Sequence, residues 1–140
     1  MTGKVILDTG PLIAYLNRRD HLHEWASEQF NRFSPPILSC EPVLTEACYL
    51  LRDLPDALQK VMVFVRQGLI EIPFRVQEEV DRVAVLMKRY SDLPMSLADA
   101  CLVRLSEQYA DCSVLTADRH FGVYRRNGRQ VIPTILPPKK

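Results

Sequence analysis

Apolar and polar residues follow two rhythms along the chain, and the switches between them predict its elements. Short apolar runs bounded by polar residues mark strands at Lys4 to Leu7, Ile37 to Ser39, Leu69 to Ile72, Cys112 to Thr116 and Gln130 to Thr134. Between them apolar residues recur at three- and four-residue spacing, which predicts helices over 10–17, 21–33, 42–51, 55–67, 76–90 and 97–108. The expected core faces are Leu22, Trp25, Ala26, Phe30 and Phe33 in the second helix and Leu58, Val61, Met62 and Val65 in the fourth. In the long fifth helix they are Val80, Val83, Ala84 and Met87. Pro35-Pro36 breaks the second helix, Pro42 and Pro55 sit in first turns where a missing N–H costs nothing, and Gly68 ends the fourth helix. Asn127-Gly128 predicts a turn before the last strand. Alternating strands and helices with short connections argue for an α/β fold with a mainly parallel central sheet of about five strands and helices on both faces. No repeat or linker divides residues 1–140, which read as one domain with a polar tail over 136–140.

Composition narrows the function classes. With 140 residues, 47% of them hydrophobic, the chain has enough apolar surface for a real core. The formal net charge is +1, so there is no generic polycationic grip on nucleic acid, and any such contact must come from a local patch. Met1-Thr2-Gly3-Lys4 leads straight into a strand without a signal peptide, and no apolar run approaches the roughly 20 residues of a membrane span. A cytoplasmic protein without a membrane partner is expected. Cys40, Cys48, Cys101 and Cys112 form no Cys-x-x-Cys pair and lie in or beside apolar segments, as buried free thiols do. His21, His23 and His120 do not complete a tetrahedral zinc set with them.

Four acids carry the candidate chemistry. Asp8 ends the first strand and Asp118 follows the fourth at a similar offset, at the carboxyl ends of strands where open α/β sheets bind ligands. Glu46 and Asp99 lie on helices among apolar neighbours, Val43, Tyr49 and Leu50 for one and Met95, Leu102 and Val103 for the other. Ionised carboxylates in such places cost several kcal/mol unless paired or coordinated, and crowding raises their pKa values. A hard divalent cation, Mg²⁺ or Mn²⁺, resolves both problems with all-oxygen ligands. Each acid also has a structural alternative. Asp8 and Asp118 suit N-caps, Asp99 completes a capping box with Ser96, and Glu46 has Arg52 as a candidate partner. Thr9 and Thr116 are candidate donors that hold the carboxylates, or ordinary strand residues. Arg119, Arg125, Arg126 and Arg129, interleaved with Phe121 and Tyr124, form either a track for a nucleic-acid backbone or a solvated basic loop.

The stretches Ile6 to Leu16, Thr45 to Leu51, Asp92 to Ala100 and Val114 to Phe121 resemble, in order and spacing, the four motif blocks of PIN domains, and the small stand-alone form resembles the VapC-type toxins of toxin-antitoxin pairs. The resemblance implies a Mg²⁺- or Mn²⁺-dependent endoribonuclease whose site acids match Asp8, Glu46, Asp99 and Asp118. In that scheme metal held by Asp8, Asp99 and Asp118 activates a water for attack on an RNA phosphodiester, and Glu46 orients the water or a second metal. It also implies a homodimer and an antitoxin partner whose C-terminal segment lies in an apolar groove and brings a basic residue to the acids. Helices 21–33 and 42–67 are candidate groove walls or plain core. One departure is visible: many relatives carry aspartate where Ser96 stands, so this chain keeps the cap but has one carboxylate fewer. A PIN nuclease acting on DNA or in RNA processing, and a non-enzymatic metal-binding interaction module, are the alternatives.

Overall fold

The protein is described by a computed structural model over residues 3–139; Met1, Thr2 and Lys140, the last residue of the expected tail, lie outside the described residues. Strand β1 (Lys4–Leu7) is central. It pairs in parallel with β4 (Cys112–Leu115) on one side, Lys4 opposite Cys112 through Leu7 opposite Leu115, and with β2 (Ile37–Leu38) on the other. Strand β3 (Ile70–Glu71) extends the sheet beyond β2 and β7 (Thr134–Ile135) beyond β4, giving the order β3-β2-β1-β4-β7, all parallel. Parallel strands covered on both faces read as unbroken apolar runs. Their alternate residues divide between two cores: Ile6, Leu38 and Val114 on one face, Val5, Leu7, Ile37 and Leu115 on the other.

Helix α1 (Thr9–Leu16) follows β1, and α2 (His23–Arg32) packs against it. The second helix starts two residues later than its apolar pattern predicts, because the Asp20 carboxylate accepts the Leu22 N–H at 2.9 Å and closes a turn first. Helices α3 (Glu41–Leu50) and α4 (Pro55–Arg66) follow β2, and Gly68 takes the left-handed conformation (φ +76°) that turns the chain into β3. Helix α6 (Leu97–Gln108) lies beneath α5 (Val76–Arg89), with Ala98 through Val103 all buried. Cys40, Cys101 and Cys112 are buried free thiols and Cys48 is half-buried. Among the described residues no helix is long and apolar enough to cross a membrane.

Three expectations need correction. The fifth sheet strand is Thr134–Ile135, not 130–134. Gln130 and Val131 instead form β6 (Gln130–Val131), antiparallel to β5 (Arg125–Arg126), in a hairpin over Asn127 (φ 52°) and Gly128 (φ 88°). The chain rejoins the sheet only beyond it, where the Pro133 and Ile135 carbonyls accept the Val114 and Thr116 N–H groups. In α5 the buried residues are Val83 and Leu86, while Val80, Ala84 and Met87 are exposed. Non-helical dihedrals at Glu79 (φ −114°, ψ 15°) break the helical period, and ion pairs to α6 fix which face turns inward. In α4, Ala57 and Val61 are buried while Met62 is exposed.

Those ion pairs converge on Glu107, whose side chain is 2% exposed. Arg82 bonds both of its oxygens, at 2.9 and 2.6 Å; Arg104 reaches it as well as Glu79, and the Asn127 N–H donates to it at 2.6 Å. Burial alone would raise the Glu107 carboxyl; the two guanidinium groups and the backbone donor outweigh burial and hold it below the ordinary value. The network ties α5, α6 and the hairpin together. Glu107→Ala leaves partly buried cations and a backbone N–H unpaired and is expected to cost about 3 kcal/mol in urea unfolding. An effect under about 0.5 kcal/mol, typical of a surface site, would contradict this role.

Candidate active site

The strand register builds the site. Because Leu7 lies opposite Leu115, the residues after them, Asp8 and Thr116, emerge side by side at the carboxyl end of the sheet. Asp8 is in extended conformation and caps α1, its Oδ1 accepting the Thr9 N–H at 2.8 Å. Its Oδ2 accepts the Thr116 hydroxyl at 2.6 Å, and Thr116 Oγ1 accepts the Asp118 N–H at 2.9 Å. One buried hydroxyl thus joins two of the acids. Asp118 caps a 3-10 helix (Arg119–Gly122): its Oδ1 accepts the His120 N–H at 2.9 Å and lies 2.9 Å from His120 Nδ1. Asp99 completes the capping box at the start of α6, its Oδ2 accepting the Ser96 N–H while Ser96 Oγ accepts the Asp99 N–H. Glu46 projects from α3 without a base; Arg52 instead lies over the Tyr49 ring at 4.1 Å and donates to the Tyr49 carbonyl.

All four carboxylates line one cleft of about 460 Å³, whose remaining wall includes Ile13, Leu50, Pro94 and Ser96. Asp8 and Asp99 are buried, 7% and 8% exposed, while Asp118 is half-buried and Glu46 stands exposed at the rim rather than against core. Burial pushes the Asp8 carboxyl up to about 6; its two hydrogen bonds oppose that, and the charges of Asp99 and Asp118 add to it. Asp99 is raised by burial, against the Ser96 N–H, and by the Asp118 charge. Glu46 is raised by its partial burial and by Asp99. No lysine or arginine pairs with any of the four among the described residues; His120 beside Asp118 is the only basic neighbour within ion-pair distance. An all-oxygen, cation-poor, partly desolvated set fits a hard divalent ion. As they stand, no three ligating side chains among the described residues are gathered closely enough to hold one, because the aspartates are turned onto their caps.

The other candidate residues divide. Thr116 is bonded to Asp8, whereas Thr9 reaches Asp8 only through its backbone N–H, and its own hydroxyl is buried without a partner. Arg126 requires correction as a nucleic-acid contact: it is 7% exposed, and its guanidinium donates to the Ala110 carbonyl and to Cys112 Sγ. Arg125 Nη1 is engaged by the carbonyls of Gly122, Val123 and Tyr124, where the 3-10 helix leaves acceptors unpaired. Arg119 is exposed and donates to the Pro137 carbonyl; Arg129 is exposed on the hairpin. From the sequence, His120 is only a histidine outside any zinc set and Tyr124 only an aromatic among the arginines; spacing alone places neither beside the acids, although Asp118-x-His120 is there to read. The Tyr124 ring packs on Tyr90 and Phe121, and its buried hydroxyl has no partner; burial and the charges of Asp99, Asp118 and Asp8 raise its pKa.

The fold and cleft define an α/β protein with a carboxylate-lined site at the carboxyl ends of its strands. The family model for the PIN domain matches residues 5–127, and the chain belongs to that family. It is 29% identical over 127 residues to Ribonuclease VapC26 of Mycobacterium tuberculosis, covering 89% of this chain and 94% of the relative. The crystal structure of Mycobacterium tuberculosis VapC20, described as a sarcin-ricin loop cleaving toxin, shares the fold with a TM-score of 0.71 at 17% identity, over 79% of this chain and 87% of that one.

Asp8 makes stability depend on pH in a definite direction. Its folded-state pKa is raised from 3.8 to about 6, so the stability it contributes is present below pH 4 and lost as pH rises through 6. In EDTA, Asp8→Asn removes that loss. The variant is expected to gain on wild type by roughly 3 kcal/mol between pH 4 and 7 in urea unfolding. Parallel profiles for the two proteins would contradict the assigned shift.

Proposed function

We propose that the protein is a metal-dependent endoribonuclease, the toxin of a toxin-antitoxin pair, acting as one nuclease domain over residues 1–140. One observation carries the reading: four carboxylates from two strand ends and two helices line a single cleft with no lysine or arginine paired to them among the described residues. The VapC ribonuclease and toxin relatives support RNA as the substrate and an antitoxin as the partner.

Asp8, Asp99 and Asp118 would hold Mg²⁺ or Mn²⁺, with Glu46 at the rim. Bound there, a hard cation supplies Lewis acidity to a water and to the phosphate oxygens. The protein's own residues do the rest. Thr116 fixes the Asp8 carboxylate through its hydroxyl and Asp118 through the backbone. The capping box leaves Asp99 Oδ1 free to face the cleft. Glu46, exposed and with a raised pKa, orients the attacking water and accepts its proton. The open apolar pocket lined by Tyr15, Phe30, Phe33 and Phe64 offers an antitoxin side chain a seat, and exposed Val80, Ala84 and Met87 give α5 a face for a second copy.

Purified protein is expected to cut RNA with Mg²⁺ or Mn²⁺ and to stop in EDTA. Asp99→Asn keeps an acceptor for the Ser96 N–H and is expected to abolish cutting while leaving the melting temperature within a few degrees. Metal-independent cutting, or full activity in this variant, would refute the assignment. Thr116→Val is expected to lower activity about 10–100-fold, as loss of a ligand-orienting bond does; unchanged rates would return Thr116 to a packing role.

A further inference from the structure

The arginines after Asp118 leave little free cation for a polyanionic substrate, yet a second basic surface begins one helical turn from the cleft. Ile13 and Leu50 line the cleft, and Leu16 and Leu54, three and four residues further along, line a groove between the end of α1 and the start of α4. The groove is edged by Arg18, Arg19 and Lys60, with Asp56 as the one acid in its lining. All three cations are exposed, and none is in an ion pair among the described residues. The groove continues past Lys60 and Arg18 towards His23 and Phe64. Between cleft and groove in the chain stands Arg52, stacked at 4.1 Å over Tyr49, which is 63% exposed three residues after Glu46. The stacked guanidinium covers one face of that ring.

We infer that Arg18, Arg19 and Lys60 form a phosphate track for single-stranded RNA leaving the cleft, with the Tyr49–Arg52 pair as a base-stacking shelf at its entrance. This rests on the ribonuclease reading above. Three unpaired cations along a groove match successive phosphates, and an exposed aromatic ring beside a guanidinium accepts any base by its π-face. A protein partner recognised mainly by apolar contact would leave this row of cations without a purpose; a nucleic acid uses every one.

The test is fluorescence anisotropy of a labelled mixed-sequence single-stranded RNA oligonucleotide in EDTA, which prevents cutting, across a range of salt concentrations. The triple variant Arg18→Ala/Arg19→Ala/Lys60→Ala is expected to bind at least tenfold more weakly at low salt. Its slope of log affinity against log salt should fall by about 2, at roughly 0.7 per single-strand phosphate contact. Tyr49→Ala is expected to weaken binding about tenfold with the slope unchanged. The control removes the same charge at Lys4, Arg32 and Arg66, which lie at the opposite end of the parallel strands, and should keep the wild-type slope. Circular dichroism melting confirms folding of each variant. RNA bound with the wild-type slope by the triple variant overturns the track while leaving the ribonuclease reading standing. If that variant also fails to copurify with a coexpressed antitoxin, the groove belongs to a protein partner. Failure of the wild type both to bind RNA and to cut it with metal overturns the function itself.

Discussion

The candidate site turns on negative charge gathered at the carboxyl end of a parallel sheet with no lysine or arginine paired to it among the described residues. A buried carboxylate is ordinarily paired, and Glu107 at the other end of α6 shows what pairing does here: two arginines and a backbone donor hold it ionised and tie three elements together. Asp8 and Asp99 are also buried, but their hydrogen bonds come from backbone N–H groups and the Thr116 hydroxyl rather than from a paired cation, and the charges of the cluster repel one another. The contrast within one chain separates a structural carboxylate from the cluster proposed above as a cation site.

Capping and the proposed metal ligation fall to the same side chains. Asp8, Asp99 and Asp118 each cap the start of a helix beside the cleft, and on the proposed reading a cation would draw their carboxylates together from those caps. Thr116 adds the link that makes two strand ends one unit, through a hydroxyl at 2.6 Å from Asp8. The three aspartates sit at helix starts and just past strand ends, which on the ribonuclease reading favours placement of a phosphate and its attacking water. Glu46 differs: it is exposed, and its carboxylate has no hydrogen-bond or ion-pair partner among the described residues.

Much of this was legible in the residues. The apolar runs marked β1 and β4 as buried strands, and the similar offsets of Asp8 and Asp118 from those runs placed both acids at the carboxyl ends of strands. What escaped had physical causes. The period of α5 was misread because a kink at Glu79 shifts the helical phase, and the charged residues Glu79 and Arg82 face inward to meet partners no local pattern announces. The last strand was misplaced because a hairpin competes for the same residues and its turn wins locally. The arginines after Asp118 looked like a binding track, but carbonyls of the 3-10 turn and of Ala110 claim two of them. Long-range partners of this kind are invisible to spacing. The groove of Arg18, Arg19 and Lys60 joins residues more than forty apart and needed the fold to appear.

The central claim, that a divalent ion completes the acidic cluster, is tested most directly by melting the protein with and without Mn²⁺ at pH 7.5 and at pH 4.5. At pH 7.5 the account predicts a rise of several degrees, since a ligand at a hundred times its Kd adds about 2.7 kcal/mol. At pH 4.5, where Asp8 with its pKa near 6 keeps its proton, the rise should largely vanish. No shift at pH 7.5, or an equal shift at both values, would contradict it.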